Sequence, residues 1–283
     1  MGHRAWLGLG LGAAAILVGV VILLPTILVR LHPPEVREPG EWRFTHRVAP
    51  VAGMTVTQRI LTADHEFTIV RSDDDVAQCT VDLSLGAVTS TRSPVDPTGR
   101  STERAVRIRG RSGRYVDDPS RDPYVTFPYA AGARATITCT RQAIPPATLL
   151  TVAEAVRFED ARIRLPFTIR ALPEGYRIYS VEEDTGRGTE VLSLSLQPVD
   201  RASIPSVVVR SGGDGPADRC LVEPTPGRSR SGRVCLSTRW SAEEAPGAQA
   251  VAQQSLDRVA ERIEPAPDAS DPATWFDAVD LPR

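Results

Sequence analysis

From Ala5 to Val29 the chain runs for 25 residues without a charge, AWLGLGLGAAAILVGVVILLPTILV. At 1.5 Å rise per residue a helix of that length reaches about 37 Å, enough to cross an apolar slab of ~30 Å with some tilt. Leu, Ile and Val dominate, and each favours insertion at the helix centre. Pro25 is tolerated near the end of a membrane helix, and Trp6 stands where an interfacial aromatic belongs. A cleaved signal peptide would instead need an apolar core of about 7–15 residues ending in a small-x-small site. Here the small cluster Ala13-Ala14-Ala15 lies inside the run, and no lipobox cysteine follows, the first Cys being Cys79. The expectation is an uncleaved, single-pass anchor over residues 1–30 at the cytoplasmic membrane.

Orientation is set by two opposing signals. Arg4 flanks the run on one side, and Arg30, Arg37, Arg43 and Arg47 follow it on the other, which would keep the long part inside. Long domains translocate largely regardless of charge, however, and the cysteines argue for the outside. Cys79, Cys139, Cys220 and Cys235 are an even set beyond an anchor, the pattern of an oxidising compartment. Four cysteines allow three connectivities. Element logic favours Cys79–Cys139 and Cys220–Cys235, each within one half, with Cα separations of ~4.4–6.8 Å. Without a C-x-x-C or a Cys/His cluster, zinc is a poor reading.

Beyond the anchor, residues 31–40 (LHPPEVREPG) read as an extended, Pro-rich spacer. MTVTQRI, EFTIVRS and CTVDLSL then alternate with period two, bounded by AD, SDDD and GA. Residues 89–103 read as a loop. VRIRG, GRYVDD, YVTFPY and ARATITC are further strands, with turns at RSG, DPSRDP and AAGA. Pro145-Pro146 open a helix with Thr148 as N-cap, its face made of Leu149, Val152, Ala153 and Val156. YRIYSVE, TEVLSLSL, PSVVVR and GRVCLSTRW supply a second set of strands. Residues 247–263 form a second amphipathic helix with Ala252, Leu256, Val259, Ala260 and Ile263 on one side. Trp275 and Phe276 in the tail should dock back onto the domain.

The fold class that results is α+β: an N-terminal transmembrane helix, then an antiparallel β-sheet ectodomain with two packing helices, divided into halves at 41–165 and 166–283. RSGR occurs at 111–114 and again at 230–233, each time before a Cys-bearing strand and a helix. A diverged duplication is one reading, and chance recurrence in an Arg-rich chain is the other. The stretch VRIRGRSGRYVDD, YVTFPYAAGARATITC and TLLTVAEAVRF resembles small α+β domains of bacterial anti-sigma-factor and lipoprotein-carrier-like proteins. There a G-R turn precedes an aromatic-bearing strand, and a helix packs on the sheet. The resemblance covers about 55 of the 283 residues. It departs from the pattern in its cysteines and in the loop around Pro119 to Pro123, and it implies a fold while carrying over no functional residue.

Composition narrows the chemistry. All 33 basic residues are Arg, set against 35 acidic ones for a net charge of −2, and Lys and Asn are absent. Near-neutral charge removes the case for a nucleic-acid binder. Without Lys there is neither Schiff-base nor P-loop chemistry, and without Asn no N-glycosylation acceptor. The histidines beyond the anchor, His32, His46 and His65, read as surface residues, since only His65 has an adjacent acid and neighbours on a strand face opposite ways. No G-x-S-x-G, S-x-x-K or H-E-x-x-H motif occurs. Asp73-Asp74-Asp75 lacks EF-hand spacing and reads as a solvated turn. The pairs Glu182-Glu183 and Glu243-Glu244 give no glycosidase geometry on their own. No catalytic, cofactor or metal residue is therefore assigned.

Two arginine groups carry the remaining chemical content: Arg107, Arg109, Arg111 and Arg114, and Arg228, Arg230 and Arg233. Guanidinium forks suit bidentate binding of phosphate or carboxylate. The competing reading is that Arg is this chain's only solubilising cation. The expectation is a membrane-anchored, extracytoplasmic binding or interaction domain whose partners are the membrane and another envelope protein or an anionic envelope polymer. The alternative is a cell-envelope hydrolase or cell-wall-processing enzyme.

Overall fold

The structure is a computed structural model that describes residues 36–84, 101–140, 145–186, 190–199, 205–212, 217–222, 233–239 and 248–282. The apolar run at 5–29 lies outside them. Among the described residues no helix is long and apolar enough to cross a membrane. Residues Val36–Arg283 form one compact unit.

The first strands are β1 (Phe44–Val48), β2 (Met54–Thr62), β3 (His65–Ser72), β4 (Gln78–Ser84), β5 (Thr102–Ile108), β6 (Arg111–Asp117), β7 (Tyr124–Ala130) and β8 (Ala133–Cys139). Helix α1 (Pro146–Ala155) leads directly into β9 (Val156–Ala161), followed by the short β10 (Arg164–Leu165) and β11 (Phe167–Ile169). Then come β12 (Tyr176–Asp184), β13 (Val191–Pro198), β14 (Ser206–Ser211), β15 (Arg219–Val222) and β16 (Val234–Arg239). Helix α2 (Ala248–Ala260) precedes β17 (Ile263–Pro265) and β18 (Phe276–Asp277).

Among the described residues, twelve strands join one antiparallel sheet in the order β15-β16-β14-β13-β12-β2-β3-β4-β8-β7-β6-β5. Three two-strand ribbons, β1–β9, β10–β18 and β11–β17, complete the fold. The architecture is thus sheet-dominated α+β, with two helices among the described residues. Inward side chains of β4, β7 and β8 meet Leu149, Val152 and Ala153 of α1 in one apolar cluster. A second cluster joins Leu194, Leu196, Val207, Val209 and Leu236 to Leu256 and Val259 of α2, and it also takes in Trp42, Phe44 and Leu61. The β2–β12 pairing, with Leu61 opposite Val181, makes the sheet continuous from one cluster to the other.

Several expectations need correction. Thr148 lies inside α1, whose N-cap is Pro145 with no side-chain cap. Proline at the first helical position has no N–H to satisfy, so the helix starts earlier than a hydroxyl cap would set it. The helix stops at Ala155 because Val156, Arg157 and Phe158 pair with β1 instead. Ile263 likewise leaves α2 for β17, opposite Ile169. Thr102 and Glu103, read as loop, already belong to β5. RSG at 111–113 is strand, and the turn falls at Arg109-Gly110, where both φ angles are positive (50° and 77°), the two-residue hairpin geometry. Gly113 is required in the strand for another reason: a Cβ there would stand 2.9 Å from Thr126 O and 3.0 Å from Phe127 Cβ.

Both expected disulfides are present, Cys79–Cys139 and Cys220–Cys235. Their Cα separations, 4.0 and 3.9 Å, fall below the expected range. Each pair sits directly opposite in an antiparallel ladder, where the non-hydrogen-bonded positions bring Cα atoms closest. The tail docks as expected. Trp275 Nε1 donates to Ala269 O at 3.2 Å, and Phe276 pairs with Leu165.

Val259, fully buried on α2, gives a direct test of the packing. Val259→Asp places an uncompensated charge there, which costs several kcal/mol. It should lower the Tm of the purified protein clearly, whereas Glu261→Asp on the exposed side should leave it unchanged. Equal Tm values would mean that α2 does not close the sheet.

Candidate functional site

Two groups of polar side chains bear on function, a sealed inner cluster around Glu66 and the exposed β5–β6 hairpin. The inner cluster forms where the β1–β9 ribbon crosses the face of β3. Period-two alternation on β3 turns Glu66, Thr68 and Val70 inward. A register irregularity between Phe44 and His46 lets two successive residues of β1, Thr45 and His46, face the same carboxylate.

Glu66 accepts from Thr45 N–H (2.9 Å) and His46 Nδ1 (2.9 Å) on Oε2, and from Thr45 Oγ1 (2.9 Å) and Arg37 Nε (3.2 Å) on Oε1. Arg37 spends the rest of its fork on carbonyls: Glu41 O at 2.7 Å, Thr62 O at 2.5 Å and His65 O at 3.0 Å. His46 Nε2 lies 2.9 Å from Thr68 Oγ1. Burial alone would raise the Glu66 carboxyl, yet the His46 hydrogen bond and charge, the Thr45 amide and Arg37 together hold it below its ordinary value. Burial lowers the Arg37 guanidinium, and Glu66 opposes that shift. Tyr129 borders this cluster. Burial, and then the Glu66 charge, push its phenol up, and its hydroxyl has no hydrogen-bond partner among the described residues.

Thr68, His46 and Glu66 stand in the order hydroxyl, imidazole, carboxylate, each contact 2.9 Å, which is the connectivity of a hydrolytic triad. Access separates this arrangement from a working one. Thr68 is 1% exposed, and His46 and Glu66 are 0% exposed, so no scissile carbonyl can reach the hydroxyl. The cluster ties β1 and the segment at Arg37 to the sheet. His46 is therefore a buried linchpin and not the surface histidine expected, because an inward carboxylate on a neighbouring strand satisfies it.

His65 is half-exposed on the other face of β3. Its Nδ1 lies 2.9 Å from Asp82 Oδ1, and its ring stacks on Phe67 at 5.4 Å. The Asp82 hydrogen bond raises its pKa against the effect of burial. The stability that this pair adds is present below the ordinary imidazole value and is lost as pH rises through the raised one. Asp73, Asp74 and Asp75 are each engaged separately, by Thr55 Oγ1, by Ser72 Oγ and Val76 N–H, and by Arg71. Glu182 accepts from Ser180 Oγ, while Glu183 pairs with Arg59. Glu243, Glu244 and His32 lie outside the described residues.

The β5–β6 hairpin distributes the first arginine group between its faces. Arg107 is opposite Ser112, and Arg114, opposite Ala105, pairs with Glu103 at 3.2 Å, so both lie on the outer face. Arg111 is on the inner face, opposite Ile108, with its guanidinium 5.0 Å from the Phe158 ring centroid. Arg109 occupies the turn, and its backbone N–H is held by both Glu154 carboxylate oxygens at 3.1 Å. Burial and then the nearby Arg109 charge lower Arg111. Arg107 and Arg109 are exposed and have no ion-pair partner among the described residues. In the second group, Arg228 and Arg230 lie outside the described residues, and Arg233 is half-buried just before β16.

Sequence reasoning missed Arg37, Glu66 and Thr68. A signal existed in EFTIVRS, where Glu66 and Thr68 share the parity of Val70. A carboxylate at an inward position must find partners.

No family model matches this chain, and no curated protein matches it. Among solved structures, the crystal structure of MucB in complex with MucA(peri) is similar to it at 14% identity. The match covers 75% of this chain and 93% of that chain with a TM-score of 0.19, too low to carry fold or function across.

Proposed function

We propose that this chain is a single-pass membrane protein, anchored through residues 5–29, whose extracytoplasmic sheet domain binds another envelope component and catalyses nothing. The observation that supports this reading is the contrast between the sealed inner cluster and the open hairpin. The groups with catalytic connectivity, Thr68, His46 and Glu66, are closed to substrate. Arg107 and Arg109, exposed and without an ion-pair partner among the described residues, lie together at a sheet margin. Two disulfides fit an oxidising compartment.

Topology comes first among the tests. Protease added to intact spheroplasts should digest residues 31–283, and protection until the membrane is permeabilised would sink the outside assignment. The hydrolase reading has a separate test. A fluorophosphonate probe should leave the purified chain unlabelled. Labelling that His46→Ala abolishes, with the fold intact by circular dichroism, would restore the enzymatic alternative.

A further inference from the structure

We infer that the outer edge of β5, unpaired among the described residues, is a docking strand for an extended acidic peptide, which adds to the sheet beside Ala105 and Arg107; this deepens the binding reading above and rests on it. Strand β5 ends the twelve-stranded order, and no described strand pairs with its outer side. Residues Thr102 to Ala105 and Arg107 are exposed. A terminal strand offers a row of unpaired amides and carbonyls, the template that β-augmentation uses.

The hairpin fixes which groups those are. Arg109 and Gly110 form a two-residue turn, so Ile108 and Arg111 exchange backbone hydrogen bonds, as do the pairs Val106–Gly113 and Arg104–Tyr115. The intervening residues Glu103, Ala105 and Arg107 must therefore direct N–H and C=O away from the sheet. The turn itself is held by Glu154, which engages the Arg109 amide from α1. The edge is thus braced at its far end before any partner arrives.

Charge selects the partner. Residues 102–117 hold five arginines against Glu103 and Asp117. Glu103 already pairs with Arg114, and Arg104 lies 4.3 Å over the Tyr115 ring. Arg107 and Arg109 remain without ion-pair partners among the described residues. An extended strand with carboxylates on alternate positions would place them beside Arg107 on the outer face while its backbone pairs with Ala105. A guanidinium fork favours carboxylate bidentately. Phosphate polymers share the charge but have no amides for the edge.

The test uses the full chain in neutral-lipid nanodiscs and a fluorescent ten-residue peptide of alternating Glu and Thr. Saturable binding is expected, and it should weaken roughly tenfold on Arg107→Gln/Arg109→Gln and on raising salt. Ala105→Pro removes only an outward N–H, a substitution that an edge strand accepts. It should abolish binding with Tm nearly unchanged. Should that variant unfold, a peptide of the same charge carrying N-methylated backbone amides supplies the same arm from the ligand side, with loss of binding expected. Binding that survives both the Ala105→Pro change and N-methylation would mean plain charge attraction and overturn strand addition. Equal affinity for polyphosphate of matched charge would overturn the peptide assignment in favour of a phosphate polymer. Absence of peptide binding even at low salt would overturn the edge site alone. The wider binding reading falls only if photo-crosslinkers across the domain capture no envelope component in cells.

Discussion

Glu66→Ala should lower the stability of the domain by roughly 3–5 kcal/mol, the cost of leaving a buried charge without its counter-ion. The removed carboxylate is the acceptor for Arg37 Nε, Thr45 N–H, Thr45 Oγ1 and His46 Nδ1 at once, so the loss orphans four donors in a place closed to water. Thermal unfolding of the full chain in detergent reads the effect. Thr45→Ala, which removes one hydroxyl from the same network, should cost on the order of 1 kcal/mol. Equal losses for the two variants would show that the cluster does not hold β1 to the sheet.

The same carboxylate imposes a pH dependence of fixed sign. Its folded pKa lies below the ordinary value of 4.5. Its contribution is therefore complete above about pH 4.5 and is lost as pH falls through the lower, folded value. The stability gap between wild type and Glu66→Gln should accordingly be constant near neutrality and close on acidification. A gap that instead widened in acid would contradict the ionised assignment.

The second large effect belongs to the disulfide between Cys79 and Cys139. It closes 60 residues and lies wholly inside the core of β4, β8 and α1. Cys79→Ala/Cys139→Ala should cost about 4 kcal/mol in the chain-entropy model, against about 3 for Cys220→Ala/Cys235→Ala, whose separation is 15 residues. Midpoints of denaturant unfolding should fall in that order. A non-reduced peptide map that joins residues of the two bonds to each other would refute both assignments.

Local pattern carried most of what could be read in advance. EFTIVRS and ARATITC declare themselves by alternation, and ARATITC coincides with β8 from end to end. Cys220 and Cys235 flank a Pro- and Gly-rich stretch, so their pairing follows from hairpin logic. Residues whose meaning depends on distant partners were opaque. FTHRV has too short an alternation to announce a strand, and it becomes β1 only because β9 lies alongside it. His46 finds its carboxylate 20 residues away, and Arg37 finds Glu66 29 residues away, so neither contact leaves a mark in a local window. The arginines of the hairpin were visible as a group, but their division between two faces awaited the register set by the Arg109-Gly110 turn.

The β2–β12 seam has a consequence for the order in which this chain can fold. Leu61 and Val181 face each other although about 120 residues separate them. As the chain emerges from its N-terminus, the meanders β2–β3–β4 and β5–β6–β7–β8 can form early from neighbours in sequence, and β4 then meets β8 across the separation of 60 residues that Cys79–Cys139 spans. The other margin of β2 must wait for β12, and non-local pairing of this kind is slow. Until then the leading half exposes a nine-residue edge, Met54–Thr62, that invites pairing with a second nascent copy. Correct assembly therefore depends on intramolecular closure by β12 outrunning encounter between chains, and the yield of refolded monomer should decline as protein concentration rises.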